Sequence, residues 1–180
     1  MYPKYAVIGG KKYKINSDYR VALDCFKAIN DDEIDDIQRA YAVIGLLFGI
    51  DIPDKYINEA LDKAKIFLNC GKEIEENVTD ADMDYVQDYD YIISSFFYTY
   101  KVSLDSYKYM HWWKFFSLMC GFDEKCILNK IREIRNYDVS KITDEKEKEK
   151  IIEAKRKLAL KNKISKEEQQ EIDEFNSLFD

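Results

Sequence analysis

Apolar residues recur at spacings of three and four along most of the chain, which is the pattern of amphipathic helices. These stripes predict six helices in the first 140 residues, and glycine or proline stands at several of their boundaries. The predicted helices cover residues 18–29, 31–48, 53–71, 84–101, 105–120 and 124–135.

The N-terminal region predicts a small β-hairpin before the first helix. Two short runs of β-favouring residues flank Gly9-Gly10, a pair typical of a tight turn between strands. Asn16 and Ser17 follow the second run and supply side chains that can cap the first helix. Asn30 with Glu33 has the spacing of a capping box and predicts the start of the second helix.

The fourth and fifth predicted helices are rich in aromatic residues. One face of the fourth is apolar throughout, and we expect it at the centre of the core. This face comprises Tyr85, Tyr89, Ile92, Ile93, Phe96, Phe97 and Tyr100. The fifth helix, with Ser103 as its expected cap, is apolar around most of its circumference and is expected to be largely buried.

The composition changes near residues 138–142. Between Lys141 and Asp180, 21 of 40 residues are charged and none is Trp or Tyr. Thr143 is a candidate cap for one helix there, and Ser165 with Glu168 has the spacing of a capping box for another. We therefore expect a helical core domain over residues 1–140 and a charged helical extension over residues 141–180.

Together these patterns predict an all-α fold. It is an irregular bundle of six or more helices, with a short N-terminal β-hairpin and the charged C-terminal helical extension. The net charge of −7, without a sizeable basic patch, argues against nucleic-acid binding. No apolar run is long enough for a membrane span or resembles a signal segment, so we expect a cytoplasmic protein.

Candidate chemical sites are few. Asp80, Asp82 and Asp84 have the spacing of the first calcium-loop ligands, but Tyr85 stands where the loop requires glycine and Tyr91 where it requires glutamate. We interpret the three aspartates as a solvated acidic connector.

The single histidine, His111, has no nucleophile close to it in the sequence. We interpret it as a core or interface residue. The four cysteines form no C-x-x-C pair and are interpreted as buried reduced thiols. No catalytic residue, metal site or cofactor is predicted, and the chain is not expected to be an enzyme.

For two features the sequence is consistent with either a structural or a binding role. The aromatic residues of the fourth and fifth helices are expected in the core, but Trp and Tyr also anchor partner proteins. The charged C-terminal region is either an exposed helix with ion pairs or a segment that orders on a partner. The candidate partner-binding residues are Tyr89, Phe96, Tyr100, His111, Trp112, Trp113, Phe116, Leu158 and Phe175.

Several runs resemble a known phage family often called gp-fifteen. They are GGKKYKINSDYR at residues 9–20, DYDYIISSFF at 88–97, MHWWKF at 110–115 with Gly121 after it, and IREIR at 131–135, followed by the Lys/Glu-rich helix. The resemblance covers most of the chain, and HWWKF is its most specific element.

The resemblance implies an origin in tailed phages or prophages of low-GC Gram-positive bacteria. It also implies a tail assembly chaperone that coats the tape measure protein before tube subunits polymerise around it. The family has no established active site, so no functional residue is carried over from it.

The expected partners are the tape measure protein and other tail proteins, and a homo-oligomer is possible. The alternative is a non-enzymatic structural component of the tail or connector in the virion. A metal-binding regulator or enzyme is the third hypothesis.

Overall fold

Seven α-helices and one β-hairpin make up most of the computed structural model, which describes residues 2–72 and 82–161. The strands are β1 (Tyr5–Ile8) and β2 (Lys11–Lys14). The helices are α1 (Tyr19–Ile29), α2 (Asp36–Phe48), α3 (Ile57–Leu68), α4 (Tyr89–Tyr100), α5 (Trp112–Cys120), α6 (Ile127–Asn136) and α7 (Glu145–Lys157). The predictions of a mostly helical fold and an N-terminal hairpin are confirmed.

The hairpin turns at Gly9 and Gly10, which both have positive φ angles. Ala6 pairs with Tyr13 and Ile8 pairs with Lys11 in an antiparallel register. A Cβ atom on Gly9 would lie 2.4 Å from the ring of Tyr56, so only glycine fits there. The turn is therefore held against the segment that leads into α3.

The first two helices begin later than the sequence patterns predict. Asp18, rather than Asn16 or Ser17, caps α1. The capping box of α2 is formed by Asp35 and Gln38. The predicted box at Asn30 and Glu33 is wrong, because the side chain of Asp31 accepts the backbone N–H of Glu33 and turns the chain before a helix can start.

The fifth helix shows the largest difference between expectation and structure. Residues 104–106 form one 3₁₀ turn without a side-chain cap from Ser103, and α5 begins only at Trp112. Residues 107–111 are not helical, because this segment pairs with the chain that precedes α1. Likewise α4 begins at Tyr89, after a turn, and Asp144 rather than Thr143 caps α7.

The core is built from stacked aromatic rings. The ring of Phe115 lies 4.7 Å from that of Tyr19 and 5.2 Å from that of Phe96, and Phe96 meets the edge of Phe122. Tyr19 and Phe115 are fully buried. The prediction that α4 contributes to the core is confirmed for Ile92 and Phe96, whereas Phe97 is 59% exposed.

An Arg135 clamp, defined by Arg135 and the groups it binds, connects α4, α6 and the chain after α7. The guanidinium donates to both carboxylate oxygens of Asp88, at 2.6 and 2.8 Å, and both side chains are buried. It also donates to the carbonyl oxygens of Asp82 and Leu158. Such bidentate, charge-assisted hydrogen bonds are strong and fix orientation.

The charged C-terminal region is described as far as Lys161. Helix α7 is present, and beyond it Leu160 is buried, while Gln87 exchanges hydrogen bonds with Ala159 and Lys161. The predicted helix after Ser165 and the candidate residue Phe175 lie outside the described residues. The division into domains at residue 140 stays a prediction.

Replacing Arg135 with methionine leaves the Asp88 carboxylate buried without its partner. We expect Arg135→Met to lower the free energy of unfolding by about 3–5 kcal/mol. The double variant Asp88→Leu/Arg135→Met removes both charges and should recover part of that loss. Urea denaturation followed by circular dichroism measures both effects.

The matched control is Arg132→Met, which breaks the half-exposed ion pair of Arg132 with Asp82. Its cost should stay below about 1 kcal/mol because solvent screens that pair. A loss for Arg135→Met no larger than that of the control would contradict a stabilising clamp.

Candidate protein-binding surface

The segment before α5 pairs with the segment before α1. The N–H of Tyr19 donates to the carbonyl of Met110, and the N–H of Trp112 donates to the carbonyl of Ser17, each at 2.8 Å. One carboxylate oxygen of Asp18 caps α1, and the other accepts the N–H of Met110. This backbone bridge places the starts of two helices side by side, and we call it the 18–111 bridge.

Arg20 strengthens the 18–111 bridge from the side. Its guanidinium binds the Asp18 carboxylate at 3.1 Å and donates to the carbonyl of Tyr107 at 2.7 Å. The non-helical segment before α5 is therefore held at both of its ends.

The two tryptophans of the HWW run bind the end of α3. The indole N–H of Trp112 donates to the carbonyl of Leu68 at 2.9 Å, and that of Trp113 donates to the carbonyl of Phe67 at 2.8 Å. Carbonyl groups in the last turn of a helix lack the usual intrahelical partner. The tryptophan rings thus supply hydrogen bonds to the last turn of α3.

His111 binds the N-terminal segment. Its Nδ1 accepts the N–H of Trp113 and caps α5, so Nε2 carries the proton and donates to the carbonyl of Pro3 at 3.0 Å. Burial lowers the pKa of His111, although its hydrogen bond to Pro3 opposes the shift. The ring is therefore neutral at pH 7, and both nitrogens serve the fold.

The nine candidate partner-binding residues fall into three groups. Phe96, His111 and Trp112 are buried. Partly exposed side chains are those of Tyr89, Tyr100, Trp113, Phe116 and Leu158. Phe175 lies outside the described residues. The rings of Phe96, Tyr100, Trp112 and Phe116 belong to one packed cluster through Phe115, whereas Leu158 lies beside Arg135. Partner contact by any of the nine stays a prediction.

Other aromatic side chains are more accessible than the eight candidates that the structure describes. Phe97 and Tyr98 are exposed on α4, and Tyr109 is exposed before α5. The exposure of Phe97 has a signal in the sequence. Neighbouring pairs such as Phe96-Phe97 point in directions about 100° apart on a helix, so one of the two tends to leave the core.

In the acidic connector, the carboxylates of Asp82 and Asp84 make internal contacts. Asp82 accepts hydrogen bonds from Arg132 and Asn136, and Asp84 caps the turn at Val86 and Gln87. Burial would raise the pKa of Asp82, but these hydrogen bonds outweigh it and lower the pKa. Asp80 lies outside the described residues, within which no metal-binding cluster of His, Cys, Asp or Glu occurs.

The cysteines differ in exposure. Cys25 and Cys126 are buried as expected, Cys70 is half-buried, and Cys120 at the end of α5 is exposed, so the expectation of four buried thiols is wrong for Cys120. Burial raises the pKa of Cys25 and of Cys70 to about 12. These two thiols stay protonated at neutral pH and are weak nucleophiles.

Within residues 2–72 and 82–161, no helix is both long and apolar enough to cross a bilayer.

A family model described as Bacteriophage Gp15 protein matches residues 4–160, which is most of the chain. Comparisons with curated proteins and with solved structures give no match. The family expected from the GGKKYKINSDYR, DYDYIISSFF and HWWKF runs is therefore confirmed.

The lowered pKa of His111 predicts a loss of stability in mild acid. The folded chain takes up the proton less readily than the unfolded chain, whose histidine titrates near 6.5. The contribution of His111 is complete above that value and is lost as pH falls toward the lowered pKa.

The variant His111→Asn tests this expectation, because asparagine can still cap α5 but does not titrate. Urea denaturation between about pH 7.5 and 5.5 should show a decline for the natural chain that the variant lacks. Equal declines in both proteins would contradict the assignment, as would an NMR titration of His111 above its ordinary pKa.

Proposed function

The chain belongs to the bacteriophage Gp15 protein family, and from this premise we propose that it is a tail assembly chaperone. In this proposal it binds the tape measure protein in the host cytoplasm before the tail tube forms around it. The observation that carries the proposal is the exposure of large aromatic side chains on α4, next to a core that is already filled by other rings.

The proposed partner has matching chemistry. A long helical tape measure exposes apolar stripes, and such stripes aggregate when they are left unpaired. Phe97 and Tyr98 are exposed on α4, and the partly exposed Tyr100 and Phe116 belong to the aromatic cluster that contains Phe96 and Trp112. Aromatic side chains of this kind anchor a partner helix with little loss of side-chain entropy.

The fixed orientation of the Tyr100 and Phe116 rings also supports a binding role. Tyr100 donates its hydroxyl hydrogen to the carbonyl of Leu118 at 2.8 Å, and the ammonium of Lys72 lies over the ring of Phe116. Because these rings are already oriented, binding a partner costs less ordering. Many copies with moderate affinity along one tape measure permit release when the tube assembles.

Co-expression with a fragment of the tape measure protein from the same phage tests the proposal. We expect the fragment to remain soluble and to co-purify with the chain. The double variant Phe97→Ser/Tyr98→Ser should weaken binding at least about tenfold, which corresponds to about 1.4 kcal/mol.

The matched control is Ile66→Ser/Tyr137→Ser, which removes two exposed apolar side chains on α3 and after α6. It should leave binding unchanged. A fragment that stays insoluble and does not co-purify with the natural chain would contradict the proposed function.

Mass spectrometry of purified phage particles separates a chaperone from the structural alternative. A chaperone should be absent from the mature particle. Its presence there in stoichiometric amounts would instead support a tail or connector component.

A further inference from the structure

Helix α2 carries an exposed apolar stripe that the fold leaves without a packing partner among the described residues. Ile37 is 69% exposed and Tyr41, one turn later, is 47% exposed. Ile50, two residues after α2, is 93% exposed. Such exposure of three large side chains on one helix and the residues just after it is unusual unless a partner covers them.

Ile37, Tyr41 and Gly45 are spaced four residues apart and therefore lie on one face of α2. Gly45 follows Tyr41 by one turn, and a methyl group of Ile50 lies 4.0 Å from the position that a Cβ on Gly45 would take. Ile50 therefore lies at the C-terminal end of the face that carries Ile37, Tyr41 and Gly45. The eight helical steps from Ile37 to Gly45 span about 12 Å, enough to contact two turns of a partner helix. We call this face, with Ile50, the α2 stripe.

Tyr41 is fixed in place at the edge of the α2 stripe. Its hydroxyl donates to a carboxylate oxygen of Asp54 at 3.1 Å. This contact connects α2 with the turn that precedes α3 and places a negative charge beside the apolar surface.

Most of the net charge of the protein lies around the α2 stripe. Residues 31–59 hold eight carboxylates and two cations, which accounts for six of the seven net negative charges. The exposed carboxylates at the start of α2 belong to Asp32, Glu33, Asp35 and Asp36, and those near Ile50 belong to Asp51 and Asp54.

Two cations, Arg39 and Lys55, lie within residues 31–59. Arg39 binds Asp36 at 2.7 Å and the carbonyl of Asp31, and Lys55 lies over the ring of Tyr56. Lys55 keeps its positive charge over that ring, but six exposed carboxylates outnumber it, so the rim of the α2 stripe presents mainly negative charge.

We propose that the α2 stripe binds an amphipathic helix of a partner protein whose apolar face is flanked by Lys and Arg. Apolar contact supplies the affinity, and the acidic rim selects basic flanks and orients the helix. This inference rests on the proposed function and deepens it, since it gives the chemistry of the partner segment and a second face besides α4.

The same charges disfavour other occupants. A second copy of the chain would bring its own acidic rim, and like charges across an interface repel. Residues 162–180 of the chain carry six carboxylates against two lysines, so they are repelled as well. Nucleic acids and anionic membranes present negative phosphates, which the acidic rim also repels.

Two synthetic helical peptides of about 18 residues test the proposal with the full-length protein. Both carry leucine at helical spacing, flanked by lysine in one and by glutamate in the other. Fluorescence anisotropy should show binding of the lysine peptide, weaker at about 0.5 M than at about 0.05 M salt, and no binding of the glutamate peptide.

Two variants locate the site. Ile37→Ser/Tyr41→Ser should weaken binding of the lysine peptide at least tenfold, and Asp32→Asn/Glu33→Gln should weaken it and reduce its salt dependence. The control Ile66→Ser/Tyr137→Ser should bind as the natural chain does. Equal binding of the two peptides, or full affinity of the α2 variant, would overturn the inference.

The two proposals can fail separately. If the lysine peptide binds through the α2 stripe but the tape measure fragment is not captured, the inference stands and the proposed function fails. If the fragment is captured and Ile37→Ser/Tyr41→Ser does not weaken its binding, the proposed function stands and the inference fails.

Discussion

The 18–111 bridge determines where the other elements of this fold lie. It joins segments that are about ninety residues apart in the chain, and it aligns the starts of α1 and α5. The three ring N–H groups that follow it bind backbone carbonyls of Pro3, Phe67 and Leu68. A buried N–H group left without a partner costs about 1–3 kcal/mol. The segment before the hairpin and the end of α3 are therefore held in place by the same three residues, His111, Trp112 and Trp113.

This constraint separates the structural from the binding aromatic residues. His111 and Trp112 are among the most specific residues of the family resemblance, yet they are buried and bonded to the backbone. Phe97 on α4 and the α2 stripe contribute little to that arrangement and are open to solvent. A rigid core with accessible apolar residues on separate helices is a suitable architecture for holding a helical partner.

Local patterns predicted the hairpin, the order of the helices and the end of α2 at Gly49, since these depend on residues close in sequence. The third predicted helix extended to residue 71, whereas α3 ends at Leu68. These patterns failed where contacts between residues far apart in sequence determine the local structure. The spacing of Tyr107 and Met110 resembles a helix, but pairing with Ser17 and Tyr19 keeps residues 107–111 out of α5. The ion pair of Asp88 with Arg135 joins residues 47 positions apart, so no local sequence pattern predicts it. Residue type identified the aromatic candidates, whereas exposure depended on packing.

Hydrogen exchange of the full-length chain, with and without a tape measure fragment, tests most directly whether a partner binds the surface of an intact core. We predict additional protection of α2 and α4 on binding, with residues 110–116 unchanged because the 18–111 bridge persists. Loss of protection in residues 110–116, or no added protection in α2 and α4, would contradict this account.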